Sequence, residues 1–116
     1  MISIKFVKLS REVIQFIRNG NRLTYSQFIY DYRNKSACAL GAVSYNHERC
    51  SMNFVKDYLG LNSEFAFYCG YDDFFILNTK LDQSETIRSW APISGEYEMG
   101  FKFAEMVFKR GWVDGK

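Results

Sequence analysis

The stretch from Ser94 to Gly111 constrains the fold more than any other part of this chain. Tyr97, Phe101, Ala104 and Phe108 recur at helical spacing, with Met106 and Val107 beside or near that stripe. Lys109 and Arg110 complement the negative end of a helix dipole, and Gly111 supplies the stop. A helix with one apolar stripe has to bury it against other elements. The remaining segments are therefore read for partners of the same kind.

Several carry start and stop signals. Ser10 reads as an N-cap, followed by Val13, Phe16 and Ile17 on one face with Ile14 beside them. Arg11, Gln15 and Arg18 take the other face, and Asn19-Gly20 ends that helix. Thr24-Tyr25-Ser26-Gln27 fits a capping box, and Tyr25, Phe28, Ile29 and Tyr32 follow the i, i+3, i+4, i+7 template over 24–33. Ser36 is the expected cap of a third helix running to Val43, whose Gly41 would be justified by close approach of another helix. Ser51 or Asn53 opens a fourth, closed by Gly60-Leu61 in a Schellman ending. Asp82-Gln83-Ser84-Glu85 opens a short one that Ala91-Pro92 breaks.

Two segments admit strands. Residues 2–8 alternate Ile2, Ile4 and Phe6 with Ser3, Lys5 and Val7. Residues 65–77 read as a strand through Phe65, Phe67 and Cys69, or as a helix through Phe65, Ala66, Tyr68 and Cys69 closed by Gly70. Asp72-Asp73 then reads as a turn and cap. The fold expected is a small all-α multi-helix bundle occupying 1–116 as one domain. The alternative is α+β with short strands near 2–8 and 65–77.

Composition bounds the setting. Eleven Phe, eight Tyr and two Trp make an aromatic core and exclude a disordered chain. The longest apolar runs, such as Phe74-Phe75-Ile76-Leu77, fall far short of the roughly 20 residues of a membrane span. No secretory signal is expected from Met1–Lys8, and three cysteines suit no disulfide framework, so the expected compartment is the reducing cytoplasm.

Charge is uneven along the chain. Residues 1–35 hold seven Lys/Arg against two Asp/Glu, while 36–100 hold four against nine. The basic set is Lys5, Lys8, Arg11, Arg18, Arg22, Arg33 and Lys35, interleaved with Tyr25, Tyr30 and Tyr32, the pattern of cations on phosphates and rings on bases. A net charge of only +2 and an acidic middle weigh against nucleic acid as the leading partner.

Cys38, His47, Cys50 and Cys69 equal in number the ligands of a structural zinc. Only His47 and Cys50 form a close pair, where such sites ordinarily use two. Cys38 and Cys69 lie in apolar stretches and read as packing residues, so no metal is expected. Cysteine catalysis would use Cys50 as nucleophile, His47 as base, and Asp72 or Asp73 as the group orienting the base. No phosphate loop, zinc-protease pair or nucleophile elbow is present, and no cofactor is expected.

Ser36-Ala37-Cys38-Ala39-Leu40-Gly41-Ala42-Val43 resembles the Cys-Ala-Leu-Gly-Ala helix start of a group of small uncharacterised bacterial and phage proteins. Ser10–Tyr32 and Tyr71–Arg110 fill the places of the group's preceding helix and of its acidic turn with C-terminal helix. The group usually carries Asn-Asp where this chain has Tyr71-Asp72-Asp73. The resemblance implies a helical fold and no particular activity.

The function expected is a non-enzymatic module that binds another protein or a second copy of itself, in the manner of a phage-encoded modulator of a host system. An abundance of Tyr, Trp, Phe and Met, the residue types that anchor interfaces, motivates this. A nucleic-acid accessory protein using the basic first third is the alternative, and a cysteine-dependent enzyme comes third.

Overall fold

The computed structural model describes residues 4–77 and 94–113. Their order is α1 (Ile4–Arg18), β1 (Arg22–Leu23), β2 (Ser36–Ala37), α2 (Ala39–Asn46), α3 (Met52–Leu59), α4 (Glu64–Leu77) and α5 (Ser94–Lys109). The fold is mostly helical. Its strands are two residues each, paired in parallel with Arg22 opposite Ser36 and Leu23 opposite Ala37. Val113 bridges to Leu23 from the other side, which pins the chain after α5. The expected short helix in 82–90 lies outside the described residues. Among those described, no helix is long and apolar enough to cross a membrane.

Both strand alternatives are corrected. Residues 4–8 belong to α1 and residues 65–77 to α4. Ser10 is no N-cap: it lies within α1, and its hydroxyl donates to the Phe6 carbonyl at 2.9 Å, the back-bonding that a mid-helix serine adopts. Phe6 packs edge-on against Phe103 of α5, centroids 5.0 Å apart, which draws the first turn into the helix. Gly20, at φ +90°, closes α1 as expected, its N–H donating to Ile17 and that of Asn21 to Phe16.

The expected helix over 24–33 does not form. That segment is the irregular connection between β1 and β2, and long-range partners take its backbone. Gln27 O accepts from Cys38 N at 2.7 Å, and Thr24 N donates to Ala37 O at 2.9 Å. Ser26 is held at φ +59° with its N–H on Asp72. Cys38, two residues later than the cap expected, is the N-cap of α2, its Sγ accepting from Gly41 N. Gly41 does permit a close approach, but by this connection and not by a helix: a Cβ there would overlap the Phe28 carbonyl.

Ser51 caps α3 as expected, accepting from Phe54 N at 3.2 Å. Gly60 closes it at φ +72° with the paired bonds Gly60 N to Asp57 O and Leu61 N to Lys56 O. Helix α4 runs straight through Gly70 and Asp72-Asp73. It lies beside α5 in the same direction, with Ser63 meeting Glu96, Phe67 meeting Gly100 and Phe75 meeting Phe108. Glu96 joins the two starts, its carboxylate accepting from the N–H groups of Asn62, at 2.6 Å, and Ser63. The face of α5 that is buried comprises Tyr97, Gly100, Phe101, Phe103, Ala104 and Val107; Phe108, expected on it, is half exposed.

Candidate functional site

A cleft of about 670 Å³ opens between the C-terminal end of α1, residues 29–32 and the stretch from Ser44 to Cys50. Its inner wall is aromatic. Tyr30 stacks on Tyr45 with centroids 3.9 Å apart, and the buried Phe16 meets both rings edge-on. Tyr30 is fixed further by donating its hydroxyl to Asn21 Oδ1 at 2.5 Å. Burial, and then the hydrogen bond with Tyr45, push the Tyr30 phenol above its ordinary range.

The lip is apolar and exposed. Ile29 is 68% and Tyr32 80% accessible, with the Tyr32 ring set edge-on against Tyr30 at 4.8 Å. The turn after them is rigid: Asp31 accepts from the N–H groups of Arg33 and Asn34 and from the Asn34 amide. The two hydrogen bonds from Asn34 do most to hold the Asp31 carboxyl below its usual range. The facing wall is also tied, since Ser44 Oγ donates to Arg49 O and Arg49 N to Ser44 O. Arg49 spreads its guanidinium 4.8 Å from the centre of the Phe54 ring.

Behind the cleft lies a polar cluster centred on Glu12. Asn46, which lines the cleft, donates Nδ2 to the Glu12 carbonyl and to Glu12 Oε1, both at 2.9 Å. Glu12 Oε2 takes the Tyr58 hydroxyl at 2.7 Å and His47 Nε2 at 2.9 Å. Burial alone would raise the Glu12 carboxyl, but the hydrogen bonds from Asn46, Tyr58 and His47, with the His47 charge, outweigh it and hold the carboxyl below the usual range. The Tyr58 phenol moves up to about 12, first through its bond to Glu12 and then through burial.

The structure separates most of the residues first considered together. Cys38 is fully buried at the start of α2, Cys69 is half-buried on α4, and Cys50 is exposed on the cleft rim. Among the described residues, no three His, Cys, Asp or Glu side chains gather closely enough to hold a metal ion. Neither Asp72 nor Asp73 orients His47. Asp72 accepts from Ser26 N and Oγ, and Asp73 accepts from the Tyr97 hydroxyl. The carboxylate on His47 is Glu12.

The basic set also divides. Lys5 pairs with Glu96 at 3.5 Å, and Lys8 donates to Tyr58 O at 2.7 Å while lying over the Tyr58 ring. Arg11, Arg18, Arg22, Arg33 and Lys35 are exposed. Of the tyrosines interleaved with them, Tyr25 stacks on Phe75 and only Tyr32 is largely exposed.

Glu12, Asn46, Tyr45 and Arg49 were not singled out from the sequence. One signal was available for Glu12. It falls three residues after Leu9 and four before Phe16, an acid within the buried face of an amphipathic helix, where it needs partners. Comparison with protein-family models, curated proteins and solved structures finds no match for this chain.

Proposed function

We propose that the protein is a non-enzymatic binding module that takes a segment of another protein in the cleft between α1, residues 29–32 and residues 44–50. The observation that carries this reading is the lip: Ile29 and Tyr32 stand exposed over a wall of tyrosines held in place by Asn21, Phe16 and Tyr45. Tyrosine and arginine are the residue types on which binding energy concentrates in interfaces, and a rigid ring loses little conformational entropy when it is covered. The unpaired thiols of Cys38, Cys50 and Cys69 fit a cytoplasmic setting.

Nucleic acid is the weaker reading. Lys5 and Lys8 are committed to Glu96 and to Tyr58, which removes the start of the basic track. Tyr30 and Tyr45 close one ring face each against the other, leaving Tyr32 as the exposed ring of the cleft.

The test is a comparison. Immobilised protein and its Ile29→Asp/Tyr32→Ala variant are exposed to lysate of the native host, and captured proteins are quantified by mass spectrometry. Both side chains are exposed, so the variant should keep the parent's melting temperature. One partner or a few, depleted at least about tenfold on the variant, is the expected result for loss of central anchors. Equal capture by both would overturn the reading, and a partner that is this chain itself would make the cleft a homodimer interface.

A further inference from the structure

Resting on that reading of the cleft, we infer that the segment it receives is acidic, its carboxylates meeting Arg18, Arg33 and Arg49 while one apolar side chain lies against Ile29 and Tyr32. Three positions around the cleft converge on this chemistry. On α1, Gln15 lines the cleft, and Arg11 and Arg18 stand four residues before and three after it, so all three share one exposed helix face. Arg33 follows Tyr32 directly on the turn. Arg49 lines the opposite wall.

The acids nearby offset only part of these charges. Asp31, which accepts from the N–H groups of Arg33 and Asn34, offsets part of the Arg33 charge, while Glu12 is buried and held by His47, Asn46 and Tyr58. Glu48 is the acidic residue among those lining the cleft. A guanidinium presents a planar fork that matches a carboxylate through two parallel hydrogen bonds, and Arg49 has that plane steadied by Phe54. Unlike charge across the encounter also raises the association rate.

A nucleic-acid strand fits this arrangement less well than an acidic peptide. Strand binding wants cations spaced along several phosphates with open ring faces between them. Here Arg49 lines one cleft of about 670 Å³, a size that takes a few side chains, and Arg18 and Arg33 adjoin its lining residues Asn19 and Tyr32 in the chain.

The test uses the whole protein and fluorescein-labelled probes read by anisotropy. One peptide carries a central Phe flanked by Glu on both sides. Two counterparts replace every Glu with Gln or with Lys, and a fourth probe is a short oligo-dT. The acidic peptide should bind at least about tenfold tighter than the Gln peptide and weaken steeply with added salt. Tyr32→Ala should weaken it, and Arg33→Glu/Arg49→Glu should exchange its preference for that of the Lys peptide. These side chains are exposed, and unchanged circular dichroism confirms the fold of each variant. Equal or tighter binding of the Gln peptide, still sensitive to Tyr32→Ala, would overturn the acidic assignment and leave the cleft reading standing. Preference for oligo-dT would overturn both. If no peptide binds, the acidic assignment fails, and the host-lysate comparison then decides the cleft separately.

Discussion

Glu12 Oε2 lies 2.9 Å from His47 Nε2, joining the middle of α1 to the end of α2. A carboxylate oxygen can only accept, so His47 Nε2 is the donor in this contact. The same oxygen takes the Tyr58 hydroxyl from α3, so one buried carboxylate ties three helices together and backs the cleft wall at Asn46. Glu12→Gln places an amide N–H₂ among donors and should cost about 1.5–3 kcal/mol, the range for losing hydrogen bonds to a charged group.

The pH dependence of that link has a definite sign. The folded carboxyl of Glu12 sits below its unfolded value, so its contribution is complete above the unfolded value and is lost as pH falls through the folded one. Melting temperatures measured downward from pH 7 should fall once pH drops below about 4.3, and Glu12→Gln should show a smaller fall. Parallel acid profiles for the two proteins would contradict this role.

Asp72 behaves in the opposite way. Burial raises its carboxyl, the bonds from Ser26 N and Oγ offset part of that, and the Asp73 charge adds to the rise. A raised folded value means that stability from this group is present at low pH and declines as pH rises through the folded value. Asp72→Asn keeps an acceptor for Ser26 N–H and gives a donor to Ser26 Oγ. At pH 7 it should be as stable as the parent or up to about 1 kcal/mol more so. Asp72→Ala leaves the Ser26 N–H unpaired and should lose about 1–3 kcal/mol. Urea titrations of the three proteins give the ranking directly.

Gly70 and Gly100 let α4 and α5 touch backbone to backbone. A Cβ at Gly70 would overlap the Tyr97 carbonyl, and one at Gly100 the Phe67 carbonyl, so the obstacle is main chain that cannot rotate away. Gly70→Ala or Gly100→Ala should cost about 1–3 kcal/mol or more through overpacking. Gly95 of α5 is the control, because a Cβ there has nothing within 4 Å. Gly95→Ala should be neutral or stabilise by up to about 1 kcal/mol through helix propensity. Chemical denaturation that ranks all three alike would refute the close crossing.

The boundaries legible in the sequence were those set by local chemistry. The Ser51 cap and the Gly20, Gly60 and Gly111 stops depend on a few adjacent residues and stand as read. The misread segments are those whose partners are distant. Residues 24–33 have helical spacing, yet Ser26 is held by Asp72, Gln27 bonds Cys38, and Tyr71 donates to the Thr24 carbonyl. No local window contains those partners. The cleft was hidden for the same reason. Tyr30 and Tyr45, fifteen positions apart, make its wall only because the β1–β2 pairing returns the chain beside α2. Placing Tyr32 on an apolar helix stripe buried the one tyrosine that the cleft leaves exposed.

The three cysteines should react in a fixed order. Cys50 is exposed on the cleft rim. Cys69 is half-buried, and its thiol is raised by burial and by the charges of Asp73 and Asp72, which lowers the share of reactive thiolate. Cys38 is fully buried as the N-cap of α2, and burial pushes its thiol up to about 12. With an aromatic disulfide reagent at pH 8, one thiol should react at once, a second much more slowly, and the third only on addition of denaturant. Peptide mapping of the first adduct should return Cys50. A partner segment seated in the cleft should slow that first phase and leave the second unchanged, because Cys50 lines the cleft and Cys69 lies on α4. Two thiols reacting together, or Cys38 labelled without denaturant, would contradict the graded burial of the three cysteines.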